Sequence, residues 1–333
     1  MRFAFLVIIP LLMLGGCKSN PNTPDVSAVQ VNLEVQRFEK AFFAWDTLHP
    51  DAAAKQLNAQ FPGFTQDFLF NIMGTTPDNA YRDIASFLNS YKSLAADAEK
   101  RFADLSGVEK ELKAGLQHVK YYFPAYKTPN KLITFVGPVN SYANIITADA
   151  LAVGLQLYMG KDYPLYLTPQ GQELYPLFIS RRFEPQYIAA NCIRNIVDDM
   201  YPDRSAGKPL VEQMIEAGKR AYLLERLMPA TPDSIRMGYT GQQLEGCYSS
   251  EKQIWVFFVQ NNLLYSNDPN ATRDYLTDGP NTPAFGTTSP GNIGLFTGRQ
   301  IVRKWMENHE KTSLDSLMRM PPGRLFSEAK YKP

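Results

Sequence analysis

Two asparagines and a cysteine fall on one turn of a predicted helix, in the stretch Asn191-Cys192-Ile193-Arg194-Asn195. Asn191 and Asn195 are four residues apart, so a helix would place both side chains on one face, one turn apart. With His at both positions and Glu at 192, this would be the HExxH helix of a zinc protease, in which imidazoles hold the metal and the acid activates water. Such a stretch is either a coincidence or a metal site whose ligands have been lost.

An acidic residue farther along completes the chain order of thermolysin-like zinc proteases. A predicted strand at residues 151–158 precedes the asparagine helix, and Glu251 lies on a later predicted helix. In those proteases two His and a Glu hold the zinc. A carboxamide oxygen is a poor zinc ligand, and Cys192 with Glu251 would supply too few donors. On spacing alone, chance and a solvated Glu251 explain the pattern better.

Histidine, a common general base and metal ligand, is scarce in this chain. His49, His118 and His309 are scattered, sit in polar surroundings typical of a surface, and show no metal-ligand spacing. The sequence contains no G-x-S-x-G elbow, no GxxxxGK[ST] loop and no strand-linked GxGxxG. It therefore predicts no cofactor and gives no support to triad hydrolysis or nucleotide binding.

The N-terminus carries a targeting signal rather than part of the fold. Residues 1–16 join a basic start to a short apolar run, which is typical of a secretory signal peptide and too short to span a bilayer comfortably. The signal ends in Leu-Gly-Gly before Cys17, the lipobox pattern of bacterial lipoproteins, so we expect cleavage there and acylation of Cys17. Residues 17–26 then provide the lipidated cysteine and a polar, flexible tether.

The charge of the mature chain is balanced. Of the 34 Lys and Arg residues only Arg2 lies in the signal, so 33 remain against 33 Asp and Glu. This balance argues against nucleic acid as a partner and against electrostatic adhesion to anionic lipid. Besides Cys17 the mature chain has Cys192 and Cys247, and the sequence leaves open whether these two form a disulfide or stay thiols.

Hydrophobic periodicity indicates an α+β chain, mostly helical, with a small and mostly antiparallel sheet. Strands are expected at residues 29–35, 132–137, 144–147 and 151–158. Residues 27–333 are predicted to form a single domain, with an N-terminal strand and helices in 27–125 and further strands and helices in 126–333.

Capping and turn signals predict where the later helices begin and end. A Thr240-x-x-Gln243 capping box predicts one long helix through residue 261, and residues 266–290 read as loop. A helix is expected at 291–307, where the glycines of Gly291-x-x-Gly294-x-x-x-Gly298 indicate close packing against another helix.

Several stretches together resemble the GldB family of lipoproteins, which is associated with gliding motility in Bacteroidota. They are VNLEVQRF at 31–38, GYTGQQL at 238–244, EKQIW at 251–255, NLLYS at 262–266, DGP at 278–280, SPGNIG at 289–294, GRQIVR at 298–303 and FSEAKYKP at 326–333. The family also looks like a distant relative of predicted zinc-dependent proteases. In that comparison Asn191, Cys192 and Asn195 fall on the HExxH helix, and Glu251 falls near the downstream acid. The resemblance implies a zincin-like (gluzincin-like) scaffold without its metal ligands.

The resemblance and the signal together favour a non-catalytic lipoprotein of the cell envelope. The lipid on Cys17 would hold it on the membrane, and it would bind envelope proteins of the gliding or secretion machinery, for instance by strand addition at an edge formed by residues 151–158. The residues directly after Cys17 lack acids, which in this phylum favours a periplasm-facing anchor. Two alternatives stay open. One is a hydrolase that uses Cys192 as nucleophile, or Cys192, Glu251 and a distant His on a metal; the other is a binder of small molecules or glycans.

Overall fold

A computed structural model describes residues 23–147 and 149–333 of the chain. The predicted signal peptide at 1–16, the lipidation site Cys17 and most of the tether lie outside the described residues. Within the described ranges, no helix combines the length and the apolar character that crossing a membrane requires.

A four-stranded mixed sheet lies at the centre of the described residues. Its strands are Glu34–Arg37 (β1), Lys131–Phe135 (β2), Asn144–Ile146 (β3) and Ala150–Gly154 (β4), in the order β1-β2-β4-β3. β1 pairs with β2 and β2 with β4 in parallel, and only β3 and β4 are antiparallel. The prediction of a mostly antiparallel sheet is therefore wrong. The connection from β1 to β2 consists of several helices, and such long crossovers are what parallel pairing requires.

The first strand begins later than the sequence predicts. Residues 29–33 are not in the ladder, and side chains of a helix bind two carbonyl groups of this stretch. Gln117 Nε2 donates to the Val29 carbonyl at 2.9 Å, and Lys120 Nζ donates to the Gln30 carbonyl at 2.8 Å. The alternating apolar residues of this stretch therefore reflect packing on one side rather than strand pairing.

The strand predicted at 151–158 also differs from the observed one. It ends at Gly154, and Leu155–Leu157 forms a 3-10 turn. Because β4 is paired on both sides, it offers no free edge, and strand addition at this strand is ruled out. The edge strands of the described sheet are β1 and β3.

Helices fill most of the remaining described chain. The first group is Phe38–Phe43 (α1), Pro50–Gln60 (α2), Phe64–Gln66 (α3), Ala80–Arg101 (α4) and Ser106–Tyr122 (α5), with a π-helical stretch at Asp67–Ile72. The second is Pro164–Leu167 (α6), Pro169–Leu174 (α7), Leu177–Ser180 (α8), Ile188–Met200 (α9), Leu210–Leu227 (α10) and Asp233–Met237 (α11). The third is Gly241–Ser249 (α12), Glu251–Gln260 (α13), Pro269–Leu276 (α14), Ile293–Asn308 (α15), Leu314–Arg319 (α16) and Pro322–Ala329 (α17).

The predicted capping box is confirmed, but the helix it opens is shorter than expected. The Thr240 N–H donates to Gln243 Oε1 at 3.0 Å, and the Gln243 N–H donates to Thr240 Oγ1 at 3.1 Å. The helix breaks at Ser250, where φ is −112° and ψ is 15°, so Glu251 begins a separate helix.

The predicted loop at 266–290 also contains a helix. α14 starts at Pro269 directly after Asp268, whose side chain accepts from the Asn270 N–H at 2.9 Å. Asp as cap followed by Pro at the first helical position is a standard start signal, so the sequence held the information for this helix.

Two hydrophobic cores lie on opposite faces of the sheet, because successive strand residues point to opposite sides. On β2, Ile133 and Phe135 join a phenylalanine-rich core formed with α1, α2 and the π-helical stretch. Leu132 on β2 and Leu151 on β4 face the larger core, which holds α5, α9, α10 and α15. The candidate site residues belong to this larger helical side.

α10 and α15 cross with almost no space between their backbones. A Cβ on Gly298 would lie 1.7 Å from the Met214 carbonyl oxygen, and a Cβ on Gly218 would lie 2.2 Å from the Gly298 carbonyl carbon. Gly294 is close to α10 as well, because a Cβ there would lie 3.1 Å from Met214 Cγ. The prediction of close helix packing is confirmed for Gly294 and Gly298, whereas Gly291 precedes α15 and lies against Gly279 in a loop, where a Cβ would be 2.3 Å from the Gly279 nitrogen.

Candidate functional site

The asparagine helix predicted from the sequence is α9, and part of its motif belongs to a chain of hydrogen bonds. Asn191 Nδ2 donates to the Tyr158 hydroxyl at 2.9 Å, and that hydroxyl donates to Asn144 Oδ1. Asn144 Nδ2 in turn donates to Cys192 Sγ at 3.3 Å. The chain ties α9 to β3 and to the end of the 3-10 turn after β4.

This arrangement holds Cys192 as a buried hydrogen-bond acceptor. The side chain has no exposed surface, and burial raises the pKa of its thiol to about 12, although the bond from Asn144 acts in the opposite direction. A nucleophilic or metal-binding cysteine needs an accessible thiolate. The geometry at Cys192 therefore suits a structural role and disfavours both uses of the thiol in the hydrolase alternative.

Glu251 has hydrogen-bond partners of its own. Its carboxylate accepts from Gln300 Nε2 at 3.0 Å and from the Tyr331 hydroxyl at 2.6 Å. None of these groups takes part in the chain that joins Asn191 to Cys192. Glu251 at the start of α13 thus anchors the C-terminal segment against α15.

The described residues do not bring the predicted metal-site positions together around an ion. Asn195 lies on α9 one turn after Asn191 and is partly exposed. Within the described ranges, no three His, Cys, Asp or Glu side chains are grouped as a metal ion would require. Cys192 and Cys247 are both free thiols, so the disulfide that the sequence left open is not formed.

The histidines differ in their surroundings from what the sequence suggests. His118 is buried on α5, with Nδ1 at 2.9 Å from the Ala114 carbonyl oxygen, and burial lowers the pKa of its imidazole. His309 stacks on Trp305 at 4.0 Å between ring centroids, and the His49 side chain is 73% exposed. The expectation that all three sit in surface settings is wrong for His118.

An arginine-rich site that the sequence analysis did not single out lies beside the α10–α15 crossing. Two cavities, of about 670 Å³ and about 160 Å³, share Arg226 and Arg303 in their walls. Arg236 also lines the smaller one, which we call the arginine cavity. Thr23, the first described residue, contributes to its wall as well.

Asp233 at the start of α11 binds several of these cations at once. Its carboxylate accepts from Arg236, from Arg299 Nη2 at 2.8 Å, and from the Tyr248 hydroxyl at 3.0 Å. Arg303 Nη2 is 3.7 Å away. Burial alone would raise the pKa of Asp233, but Arg299 and Arg236 hold it well below its ordinary value. This carboxylate therefore stays ionised near neutral pH.

The remaining contacts fix the orientation of the cations. Arg303 binds Glu225 Oε2 through Nε at 3.1 Å and Nη2 at 2.7 Å, and its Nη1 reaches the Tyr248 hydroxyl at 3.0 Å. Arg226 Nη2 lies 3.3 Å from the Tyr122 hydroxyl. The arginines are thus held by α10, α11 and α15 rather than by a loop.

One sequence signal could have found this site. Arg299 and Arg303 are four residues apart on a helix whose other inward positions are apolar except for Thr297, and the Gly-Arg-Gln-Ile-Val-Arg stretch at 298–303 contains both. An arginine on the apolar face of a helix must find partners inside the fold. Arg299 does so, since its side chain is 1% exposed.

Comparison with known proteins finds one family whose model matches the chain. A family model described as gliding motility protein GldB matches residues 19–333. No curated protein matches the chain, and no solved structure matches it. The zincin-like scaffold that the resemblance implies therefore has no support from structural comparison.

Proposed function

The chain belongs to the gliding motility protein GldB family, and from this premise we propose that it is a lipid-anchored envelope protein that acts by binding proteins rather than by catalysis. The acyl group on Cys17 is its anchor, and the folded part faces the periplasm. The proposal does not depend on descent from a zinc protease.

The anchor is supported by the sequence around the cleavage site. The match to the family begins at residue 19, two residues after the cysteine of the Leu-Gly-Gly-Cys17 pattern. One acyl chain gives marginal membrane binding, whereas the two or three of a mature lipoprotein hold a protein stably. Such an anchor would place residue 23 and the fold that follows it close to the membrane surface.

The observation that carries a non-catalytic role is the hydrogen-bond chain from Asn191 to Cys192. It sequesters the cysteine that a hydrolase would need, and burial raises the pKa of its thiol to about 12. Glu251, the other candidate, is engaged by Gln300 and Tyr331. A scaffold of this kind favours binding over bond cleavage.

A pair of exposed leucines on two short helices supports protein binding. Leu167 on α6 and Leu177 on α8 are 50% and 62% exposed. Leu167 and Leu177 border a cavity of about 390 Å³ that also contains Phe178. Clustered exposed leucines are a feature of interaction surfaces, whereas single exposed apolar residues are ordinary.

The anchor is tested by Cys17→Ser in full-length protein expressed in a strain that lacks the native copy. We expect the N-terminal peptide to lose its acyl mass, the protein to leave the membrane fraction, and gliding to fail. An unacylated Cys17 in the unsubstituted protein would refute the anchor.

The binding role is tested by Leu177→Glu, with Leu48→Glu as the matched control because Leu48 is 84% exposed elsewhere. We expect Leu177→Glu to lose crosslinks to envelope proteins and to lose gliding at an unchanged thermal midpoint. Equal behaviour of the two variants would contradict the role of this leucine pair.

Catalysis is tested separately with Cys192→Ala and Glu251→Gln. We expect both variants to support gliding once expression is matched, because neither side chain acts on a substrate. Loss of gliding by a Cys192→Ala protein that melts like the parent would favour the hydrolase instead.

A further inference from the structure

The helix α13 is apolar on nearly every side although it lies at the surface. Residues 254–259 read Ile-Trp-Val-Phe-Phe-Val, and six apolar residues in succession cover more than one full turn of a helix. Only Ile254 and Phe258 are buried, whereas Trp255 is partly exposed and Val259 is 46% exposed. A surface helix of a globular protein usually carries polar residues on its outward side. The outward side of α13 is thus apolar where a helix that faces water alone would be polar.

Trp255 and Val259 belong to a continuous band of exposed and partly exposed apolar side chains. The two are four residues apart on α13 and are therefore neighbours on one side of the helix. The Trp255 ring lies 6.1 Å from the ring of Phe326 on α17, which in turn lies 6.5 Å from the ring of Tyr265. Tyr265 is 73% exposed and Phe326 is partly exposed. We call these four residues the aromatic band, and such a contiguous surface differs from single exposed apolar residues, which are ordinary.

The charged side chains beside the aromatic band are cations, or carboxylates that have partners inside the fold. Lys252 is exposed one turn before Trp255 on α13. Lys330 and Lys332 are exposed on either side of Tyr331, whose ring lies 5.0 Å from that of Trp255. The carboxylates of the same elements each accept hydrogen bonds from other described residues, and they belong to Glu251, Asp268 and Glu328. Cations beside aromatic side chains are typical of surfaces that lie against phospholipid headgroups.

The start of α13 lies near the point where the described chain begins. Thr23 and Arg303 line the arginine cavity together. Arg303 Nη1 is 3.4 Å from Gln300 Oε1, and Gln300 Nε2 is 3.0 Å from Oε1 of Glu251, the first residue of α13. Two hydrogen bonds therefore connect the wall of the cavity that Thr23 lines to α13, whose ten residues make a helix about 15 Å long.

The proposed anchor brings a membrane within reach of this side of the fold. Cys17 precedes Thr23 by six residues, and six extended residues span at most about 20 Å. If Cys17 carries the lipid, as the proposed function holds, the headgroups lie within that distance of Thr23. Trp and Tyr side chains are favoured at the membrane interface, because their amphipathic rings sit at the level of the headgroups. The bilayer is thus the apolar partner that the anchor always keeps close to the aromatic band.

We infer that the aromatic band lies in the interfacial region of the phospholipid bilayer that holds the anchor. This inference rests on the proposed acylation of Cys17, and it adds a second membrane contact that fixes how the fold is oriented on the surface. The contact is made by burial of apolar side chains. It therefore agrees with the balanced charge of the chain, which argues only against adhesion by electrostatic attraction.

A nitroxide label placed next to the aromatic band measures its depth in the bilayer. Gln260 is exposed and follows Val259, so Gln260→Cys provides an attachment site without changing the band. Cys192 and Cys247 are buried thiols, which leaves the introduced cysteine as the reactive one. The full lipoprotein is reconstituted into dioleoylphosphatidylcholine vesicles at a low protein-to-lipid ratio. Electron paramagnetic resonance then compares the access of oxygen and of a water-soluble nickel complex to the label.

The matched control carries the same label at Leu48→Cys. Leu48 is 84% exposed and lies between α1 and α2, which pack on the opposite face of the sheet from α13. We expect the label at position 260 to lie about 5–10 Å into the boundary between headgroups and acyl chains, the depth of interfacial helices. The label at position 48 should stay accessible to nickel.

Substitutions within the aromatic band should reduce this depth. Tyr265→Asp in the Gln260→Cys protein should move the label toward water, because a carboxylate is costly to bury in the interface. Val259→Asp is a second variant with the same expected shift, and Leu48→Asp should leave the depth unchanged. Since Tyr265 and Val259 are 73% and 46% exposed, the thermal midpoint in micelles of an uncharged detergent should stay level and show that the fold persists.

The possible results separate this inference from the proposed function. A label at position 260 that is as accessible to nickel as the label at position 48 would overturn the inference, as would an unchanged depth in both Asp variants. Shielding that increases with the protein-to-lipid ratio would assign the aromatic band to a second copy of the chain and overturn the bilayer assignment. Mass spectrometry on the same preparation determines the acylation of Cys17. Acylated Cys17 with an accessible label at position 260 refutes this inference alone, whereas a buried label with Cys17 unacylated refutes the anchor and supports the band as the membrane contact.

Discussion

Replacing Gly298 with alanine tests the helix crossing that supports the candidate site. The added Cβ would lie 1.7 Å from the Met214 carbonyl oxygen, whereas ordinary contact begins at 3.4 Å. The two backbones would have to separate by about 1.7 Å, the difference between these distances. No side-chain rotation relieves the clash, because the opposing atom belongs to the backbone of α10.

The expected cost follows from two opposing effects. Overpacking a core costs about 1–3 kcal/mol, and a backbone clash belongs near the upper end. Alanine in place of glycine inside a helix raises the free energy of unfolding by up to about 1 kcal/mol through its better helix propensity. Gly298→Ala should therefore lower the free energy of unfolding by about 2 kcal/mol, which for a chain of this length corresponds to a fall in thermal midpoint of roughly 3 °C.

Gly246→Ala is the matched control. Gly246 lies on the exposed side of α12, and a Cβ there would meet nothing within 4 Å. Only the helix-propensity effect applies, so the midpoint should stay level or rise slightly. Both midpoints are measured by differential scanning calorimetry on the full protein. A Gly298→Ala protein that melts with the parent would refute the close backbone contact between α10 and α15.

Three further outcomes are expected. Cys192 and Cys247 should resist a thiol reagent at pH 8 in the folded protein and react after unfolding, because burial raises the pKa of each thiol to about 12. A disulfide found by peptide mapping would contradict the prediction of two free, buried thiols. Asp233→Asn should lower the thermal midpoint at pH 7, and the difference from the parent should shrink below about pH 4. The reason is that a carboxylate with a depressed pKa loses its stabilising effect as it protonates. A constant difference in midpoint from pH 7 to pH 3 would count against the ion pairs of Asp233. Tyr331→Phe should cost about 1 kcal/mol by removing the hydrogen bond to Glu251, and carboxypeptidase should then release the C-terminal residues faster.

Signals that act within a few residues predict this fold well. The strand expected at 132–137 is β2, and the helix carrying Asn191 is α9. The capping box at Thr240 forms as its spacing indicates. Each of these elements depends on local hydrogen bonds or on one buried face, and both leave a short-range pattern in the sequence.

Strand direction could not be read in the same way. Alternation in β1 and β2 shows which residues face a core but not which strand lies alongside. The partners Val35 and Leu132 are separated by the helices α1 to α5. The helical crossover between them was a sign of parallel pairing, and it carried more information about direction than the strands themselves.

The chemistry of the asparagine motif depended on burial, which spacing does not reveal. Asn191 and Cys192 are adjacent, yet their hydrogen bonds run through Tyr158 and Asn144, which come from elements far earlier in the chain. Glu251 found partners on α15 and in the C-terminal segment instead. The same residue types could line a solvent-filled cleft in another fold. Here they are enclosed and hydrogen-bonded, which gives them a structural role.

The arginine cavity and the glycine crossing are two consequences of one packing arrangement. Gly298 allows α15 to lie against α10, and the next residue, Arg299, is thereby carried into the interior beside Asp233. One turn later Arg303 reaches Glu225 on α10. Because these contacts require the two backbones to touch, Gly298→Ala should also disturb the ion pairs of Arg299 with Asp233 and of Arg303 with Glu225, although position 298 carries no charge. Combining Gly298→Ala with Asp233→Asn should then lower the thermal midpoint by less than the sum of the two single changes, and a fully additive loss would show that the crossing does not position these arginines.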